Sequence, residues 1–135
     1  MVLDVSNGTL CYANAGHPVP IRYNGEKADW LVGADTACGA ALAISDDTQY
    51  ETVELSIEPG DSVFMFTDGI YEISNSDGEE YGLERLLAAM HRRRDHALTE
   101  LFPSLLDESR QFSASGELED DVCLVGFQFR KRLSD

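Results

Sequence analysis

The sequence predicts an α+β fold, in which two helices pack on an antiparallel β-sheet. Three observations lead to this fold class. Short strand-like runs fill the first half of the chain, two amphipathic stretches follow between residues 83 and 112, and another apolar run lies near the end. With 135 residues, of which 43% are hydrophobic, the chain can build one core. We therefore expect a single domain.

The first part of the chain is predicted to be an antiparallel meander built from two hairpins. Asn7-Gly8 and Asn24-Gly25 each separate two strand-like runs, and this dipeptide favours a two-residue turn. The predicted strands are residues 2–6, 9–13, 20–23 and 27–32. Gly16-His17-Pro18 is typical of a corner, where we interpret His17 as bonded to backbone rather than as a general acid. Residues 33–42 are rich in small side chains and are interpreted as a close-packed loop.

The middle of the chain contains two strands that differ in their pattern. Residues 50–58 alternate between apolar and polar side chains, which predicts a strand with one solvent-exposed face. Pro59-Gly60-Asp61 then leads into the apolar residues 63–66, predicted to be a strand buried on both faces and the antiparallel partner of residues 50–58. Asp68-Gly69 follows this strand. Taken alone, the pair is more typical of a plain turn, and a rigidly held metal ligand at the sheet rim is the alternative.

Two helices and a final strand complete the prediction. After a polar loop at 74–80, the spacing of Leu83, Leu86, Leu87 and Met90 predicts an amphipathic helix. Arg92-Arg93-Arg94 suits the helix C-terminus, although a partner-binding patch is an alternative. A second helix is expected over residues 98–112; Pro103 requires either a start near Thr99 as cap or a kink. Residues 122–129 are predicted to form a central strand, and residues 130–132 lie in solvent.

Composition excludes several classes of protein. With 25 acidic and ten basic residues, the net charge of −15 opposes binding to nucleic acid or to anionic membranes. Cations and basic protein surfaces are better partners, and the acidic surface also promotes solubility. The three cysteines are far apart, so neither disulfides nor a zinc site is indicated. Without a membrane-spanning run or a signal-peptide pattern, we expect a cytoplasmic protein.

Acidic residues adjoin two of the apolar strands. Asp68 follows one and Asp120-Asp121 precedes another, so antiparallel neighbouring strands would bring these carboxylates to the same end of the sheet. Hard divalent cations such as Mg²⁺ and Mn²⁺ take oxygen ligands and keep several waters. Because acidic residues are also common at solvated strand ends, the pattern by itself leaves both interpretations open.

Five motifs in order give the chain a family resemblance that covers residues 9–129. The motifs are Tyr12-Ala13-Asn14-Ala15-Gly16-His17-Pro18, Pro59-Gly60-Asp61, Phe66-Thr67-Asp68-Gly69-Ile70-Tyr71-Glu72, Tyr81-Gly82-Leu83-Glu84-Arg85-Leu86 and Asp120-Asp121-Val122. Together they resemble the PPM-type metal-dependent protein serine/threonine phosphatases, in the bacterial SpoIIE-like branch. The resemblance implies the C-terminal part of an αββα sandwich.

The resemblance also implies chemistry and partners. It implies a two-metal Mn²⁺ or Mg²⁺ site that activates water for in-line attack on a phosphoryl group, without a covalent nucleophile. Asp68 and Asp120 match metal ligands, Asp121 matches a supporting neighbour, and Glu72 matches a position for an additional, weaker metal. The implied substrate is a phosphorylated protein such as an anti-sigma-factor antagonist. A non-catalytic pseudophosphatase that binds a partner-switching regulator is the alternative.

One motif of that family is missing from the sequence. The family carries a further Asp-Gly pair, in a Gly-Asp-x-x-Gly-His-Gly-like setting, that supplies the bridging carboxylate. The Asp-Gly pairs here are Asp68-Gly69 and Asp77-Gly78, and the second lies in a polar loop. We therefore expect a partial domain with weak or incomplete metal binding and little activity alone. Open strand edges would favour a homo-oligomer.

Overall fold

In the part of the chain that the structure describes, eight short strands come first, two helices follow and one strand comes last, which is the order of strands and helices that the sequence predicts. The computed structural model describes residues 1–31, 33 and 38–130. The strands are β1 (Val2–Asp4), β2 (Thr9–Tyr12), β3 (Asn14–Ala15), β4 (Ile21–Tyr23), β5 (Ala28–Trp30), β6 (Cys38–Gly39), β7 (Val53–Ser56), β8 (Ser62–Phe66) and β9 (Leu124–Gln128). The helices are α1 (Gly82–Arg92) and α2 (Leu98–Phe112), and a 3₁₀ turn spans Asp68–Ile70. The α+β prediction is confirmed.

The strands form two main antiparallel sheets, with orders β1-β2-β7 and β5-β4-β8-β9, and β3 pairs with β6 in parallel. The predicted pairing of residues 50–58 with residues 63–66 is therefore wrong, because β7 pairs with β2 and β8 pairs with β4 and β9. The turn between β7 and β8 carries the chain from one sheet to the other. It is held to the end of β9, since Gly60 N donates to Phe129 O and Phe129 N donates to Asp61 O, both at 2.7 Å.

Two hydrophobic layers hold the sheets and helices together. The buried residues between the two sheets are Leu10, Tyr12, Leu31, Ile57 and Val63. Those between the larger sheet and the helices include Ile21, Phe64, Phe66, Ile70, Leu86, Ala89, Met90, Leu101 and Leu105. Val63 faces the first layer while Phe64 and Phe66 face the second, so β8 is buried on both faces as predicted. The resulting order of sheet, sheet and helices agrees with the predicted part of an αββα sandwich.

Both hairpins form, but their turns are wider than the two-residue turns predicted. The last paired residues are Asp4 with Thr9 and Tyr23 with Ala28, so the turns span residues 5–8 and 24–27. Side-chain acceptors stabilise these wider turns: Asp4 Oδ1 accepts from Ser6 N at 2.9 Å. Likewise, Asn24 Oδ1 accepts from the backbone N–H groups of residues 26 and 27.

Three further predictions need correction. β9 lies at the edge of its sheet among the described strands, and is not central. Helix α2 begins at Leu98 after Ala97, so Thr99 is not the cap and Pro103 lies inside the helix. The predicted loop at residues 33–42 contains the short strand β6, while its residues 34–37 lie outside the described residues, as do residues 131–132.

The predicted corner at Gly16-His17-Pro18 is confirmed. The His17 N–H donates to Asn14 Oδ1 at 2.8 Å, and His17 Nδ1 lies 2.9 Å from the Pro18 carbonyl oxygen. His17 thus binds backbone, as interpreted. No helix in the described part of the chain is both long and apolar enough to cross a membrane.

Candidate metal centre

The acidic residues singled out in the sequence lie at one end of the β8–β9 pair. The two strands are antiparallel neighbours, and Phe66 at the end of β8 pairs with Leu124 at the start of β9. Asp68 therefore leaves the sheet where Asp120 and Asp121 enter it. The predicted placement of Asp68 and Asp120 at one sheet end is confirmed.

Gly69 fixes the distance between these two segments. A Cβ atom at this position would lie 2.8 Å from the carbonyl oxygen of Asp121 and 3.1 Å from that of Asp120. Both distances are shorter than ordinary van der Waals contact, and both involve backbone atoms that cannot rotate away. Only glycine allows the 3₁₀ turn to pack directly on the Asp120-Asp121 backbone.

Thr67 adds three hydrogen bonds across the same junction. Its backbone N–H donates to the Cys123 carbonyl at 3.1 Å. Its Oγ1 donates to the Asp121 carbonyl at 3.0 Å and accepts from the Cys123 N–H at 2.9 Å. The hydroxyl thus bonds backbone groups just beyond the last residue pair of β8 and β9. It holds the segment that carries the two aspartates against the end of β8. Sequence reasoning did not identify this role, and the available signal was a hydroxyl residue directly before Asp68.

The 3₁₀ turn is held by hydrogen bonds within the turn and by one hydrogen bond from helix α2. The Asp68 carbonyl accepts from the N–H groups of Tyr71 and Glu72, both at 2.9 Å. Ile70 is fully buried, and its carbonyl accepts from Ser109 Oγ of α2 at 3.0 Å. The backbone that presents Asp68 is therefore held by the core, while its side chain faces solvent.

The local charge is negative and is not neutralised. Asp68, Glu72, Asp120 and Asp121 are exposed, and none takes part in an ion pair with a described residue. Burial raises the pKa of Tyr71, and the negative charges of Glu72 and Asp68 raise that pKa further. Asp120 Oδ1 accepts from the Asp121 N–H at 2.7 Å, which orients the first carboxylate. Unpaired carboxylates in this arrangement favour a cation.

The chemistry of Asp68 and Asp120 suits a hard cation. Asp68 and Asp120 offer oxygen ligands of the kind that Mn²⁺ and Mg²⁺ take, and both are open to the waters that such ions keep. Among the described residues, however, no group of three or more His, Cys, Asp and Glu side chains could hold a metal ion. Glu72 and Asp121 thus do not join them in a single cluster. The donor set fits a hard cation but leaves its coordination incomplete.

Comparison with known proteins matches nearly the whole chain to one family. A family model described as stage II sporulation protein E (SpoIIE) matches residues 1–130. The chain is 30% identical over 117 residues to the Bacillus subtilis phosphoserine phosphatase RsbU, covering 84% of the chain and 33% of RsbU. It is 29% identical over 89 residues to protein IcfG of Synechocystis, covering 66% of the chain and 14% of IcfG. The chain thus spans at most 33% of the length of these two relatives.

Solved structures share the fold at lower identity. The RsbU and RsbW domains of Rv1364c from Mycobacterium tuberculosis give a TM-score of 0.75 at 23% identity, covering 95% of this chain and 35% of that one. The manganese-presoaked phosphatase domain of SpoIIE from Bacillus subtilis gives 0.68 at 18%, covering 99% and 56%. The SiaA-PP2C domain of Pseudomonas aeruginosa gives 0.69 at 22%, covering 91% and 47%.

Proposed function

Because the chain belongs to the SpoIIE family, we propose that it forms the C-terminal portion of a protein phosphoserine/phosphothreonine phosphatase domain in a bacterial signalling regulator. One observation carries the proposal: Asp68-Gly69 packs directly on Asp120-Asp121 in a chain that the family model matches over residues 1–130. RsbU, a relative at 30% identity, is named a phosphoserine phosphatase, which supports the reaction class.

Asp68 and Asp120 are proposed to hold Mn²⁺ or Mg²⁺. Their exposed, unpaired carboxylates support this assignment, as does the manganese presoak of the SpoIIE domain with the same fold. When bound in a complete domain, a pair of such ions supplies an activated water for attack on the phosphoryl group and neutralises its oxygens. Asp121 supports the site by donating its N–H to Asp120, and Glu72 is proposed to serve an additional, weaker ion.

The contribution of the remaining residues is positioning. Thr67 and Gly69 keep the two ligand-bearing segments in contact, so that their backbone does not have to be ordered when a cation binds. Such preorganisation lowers the entropic cost of binding. In this proposal no side chain of the chain acts as a covalent nucleophile.

The 135-residue chain is proposed to be incomplete as a catalyst. Its second Asp-Gly pair, Asp77-Gly78, lies in a turn in which Asp77 N donates to Asn75 Oδ1. For this reason we do not assign Asp77 as the bridging ligand. We therefore expect weak metal binding and little hydrolysis by the chain alone. We also expect a homo-oligomer, because sheet edges are open; a monomer in light scattering at micromolar concentration would contradict this.

The proposed substrate of the whole domain is a phosphorylated protein such as an anti-sigma-factor antagonist. The alternative is a pseudophosphatase that binds a regulator without turnover. The incomplete donor set among the described residues is compatible with both, because the chain covers 33% of RsbU. The sequence that precedes Met1 in the gene separates the two. An Asp-Gly motif there supports the enzyme, and its absence supports the binding module.

The first experiment is a calorimetric titration of the chain with MnCl₂. We expect a dissociation constant on the order of 0.1–1 mM, as for weak oxygen-ligand sites. The double variant Asp68→Asn and Asp120→Asn should abolish the binding heat, because both ligands lose their charge. Asp77→Asn is the matched control, since it neutralises the aspartate of the other Asp-Gly pair, and should bind like the wild type.

A phosphatase assay on a phosphoserine peptide completes the test. We expect no Mn²⁺-dependent turnover by the 135-residue chain. Robust turnover that disappears in Asp68→Asn would refute the proposal that the chain is incomplete, while establishing the reaction. Metal binding that survives the double variant would refute the ligand assignment.

A further inference from the structure

A cavity of about 620 Å³ lies at the opposite end of the β8–β9 pair from Asp68. Its lining includes Ser62 and Gln128, which pair at the start of β8 and the end of β9, and the connection between α1 and α2. Because β8 has five residues, about 13 Å separate its two ends. The cavity is therefore distinct from the candidate metal centre.

The floor of the cavity is apolar. Phe64, Met90 and Leu101 line it, and each is at most 5% exposed. Ala28 and the partly buried Tyr23 extend the same surface. These side chains belong to the core between the sheet and the helices, so the floor is rigid. Such a surface suits the flat apolar body of a ligand.

The rim of the cavity is basic, in contrast to the rest of the chain. Arg93, Arg94, Arg130 and His96 line it, with Asp95 as the acidic residue among the lining side chains. The whole chain, by comparison, has 25 acidic and ten basic residues. The local excess of cationic groups therefore runs against the net charge of −15. An anionic group is favoured here and is disfavoured over most of the surface.

Two of these arginines are free to bind a ligand. Arg93 is occupied, because its guanidinium pairs with Glu108 at 2.5 Å and donates to the Ala89 carbonyl. Arg94 contacts Asp95 only at 3.9 Å, where both side chains are largely exposed. Arg130 donates to Gln128 Oε1 at 2.9 Å and has no carboxylate partner among the described residues. Neither charge is therefore fully compensated.

We propose that this cavity binds a small organic anion, with a flat apolar body on the floor and a carboxylate, sulfonate or phosphate group between Arg94 and Arg130. Its volume lies within the range of about 300–1,000 Å³ that is usual for small-molecule sites. Arginine binds such oxyanions through parallel hydrogen bonds, which neutral donors match poorly. The site is independent of the phosphatase proposal, since it shares no residue with the metal centre.

The probe is 8-anilinonaphthalene-1-sulfonate, which joins an aromatic body to one anionic group and fluoresces when bound. N-phenyl-1-naphthylamine is the neutral comparison with nearly the same body. The variants are Arg94→Gln and Arg130→Gln. Arg110→Gln is the matched control, because Arg110 is 47% exposed against 45% for Arg94 and likewise makes only a long contact, 3.6 Å, to a neighbouring aspartate.

We expect one sulfonate probe per chain and a neutral probe that binds at least tenfold more weakly. Arg94→Gln and Arg130→Gln should each weaken sulfonate binding about five- to tenfold, the loss of one charge-assisted hydrogen bond. Arg110→Gln should leave the affinity unchanged. Raising the salt concentration should weaken binding of the sulfonate and leave binding of the neutral probe unchanged.

Several results would overturn the proposal. One is failure of the wild-type chain to bind the sulfonate probe, and another is equal affinity of the wild-type chain for the sulfonate and the neutral probe. A third is an affinity for the sulfonate in both Arg94→Gln and Arg130→Gln that equals the affinity in Arg110→Gln. Displacement by hexaglutamate at lower concentrations than by naphthalene-1-sulfonate would instead assign the cavity to an acidic protein segment. Near-UV circular dichroism and a cooperative melt of each variant exclude probe binding to partly unfolded chains.

Discussion

The two ends of the β8–β9 pair have opposite chemistry and are built in different ways. At one end, Asp68 and Asp120 are exposed carboxylates whose positions are set by close backbone contacts. At the other end, Arg94 and Arg130 are long, exposed side chains above an apolar floor. The acidic end should therefore be sensitive to small changes in the main chain. Substitutions that remove an arginine charge at the basic end should cost little stability.

The largest effect is expected from Gly69→Ala at the acidic end. The added methyl group would lie 2.8 Å from the Asp121 carbonyl oxygen and 3.1 Å from that of Asp120, so one segment must move. We expect a loss of about 2–3 kcal/mol in the free energy of unfolding, the upper part of the range for overpacking. Urea denaturation measures this loss, and the heat of Mn²⁺ binding should disappear with it.

Gly78→Ala is the control for this glycine. Gly78 has a φ of +78° and nothing within 4 Å of an added Cβ, so the substitution tests backbone strain without a steric clash. It should cost about 1 kcal/mol and leave Mn²⁺ binding unchanged. If Gly69→Ala proves no more costly than Gly78→Ala, the close contact does not determine the geometry of the acidic end.

A smaller effect is expected from Glu108→Gln, in the network behind the basic end. Glu108 accepts from Tyr81 at 2.9 Å and pairs with Arg92 and Arg93 at 2.7 and 2.5 Å. Burial alone would raise the pKa of Glu108, but the hydrogen bonds from Tyr81, Arg93 and Arg92 outweigh it and lower that pKa. We expect the variant to lose about 1–2 kcal/mol of stability at pH 7.

The pH dependence of this loss follows from the sign of the shift. A carboxylate whose pKa is lowered by folding stabilises the native state above its unfolded pKa of about 4.3. That contribution falls as the pH drops through the lower folded value. The difference in unfolding free energy between wild type and Glu108→Gln should therefore be constant from pH 7 to 5 and shrink below pH 4. A difference that grows on acidification would contradict the assigned network.

Local periodicity was enough to predict both helices and the longer strands, but not the two-residue strands β3 and β6 or all of the strand partners. The helices at residues 82–92 and 98–112 were predictable because side-chain spacing reflects one buried face. The alternation in residues 50–58 likewise indicated a strand with one buried face. It did not indicate which strand lies next to it, and β7 pairs with β2 rather than with β8. Pairing across sheets depends on contacts between residues far apart in sequence.

The same distinction applies to the candidate site. The juxtaposition of Asp68 and Asp120 was predictable from motif order and antiparallel pairing. The contact of Gly69 with the Asp121 backbone was not, because an Asp-Gly pair is explained equally well by a turn. The cavity at the basic end was also not predicted, since Arg94 and Arg130 are distant in sequence and meet only through the fold. The sequence by itself places the arginine triplet at a helix C-terminus, with a partner-binding patch as the alternative.

The smallest loss of stability is expected from Thr67→Val. This variant should change the acidic end without affecting ligand binding at the basic end. Valine keeps the branched shape but removes the hydroxyl, so the Asp121 carbonyl and the Cys123 N–H each lose a partner. Thr67 is only partly buried, and water can replace some of these bonds; we expect a loss of about 1 kcal/mol. Amide hydrogen exchange should show faster exchange at Cys123, while Thr67→Ser should restore protection. Because the cavity is lined by Ser62 and Phe64 and lies at the end of β8 away from Thr67, affinity for the sulfonate probe should not change. Exchange at Cys123 as slow as in the wild type would show that the hydroxyl does not join the two segments.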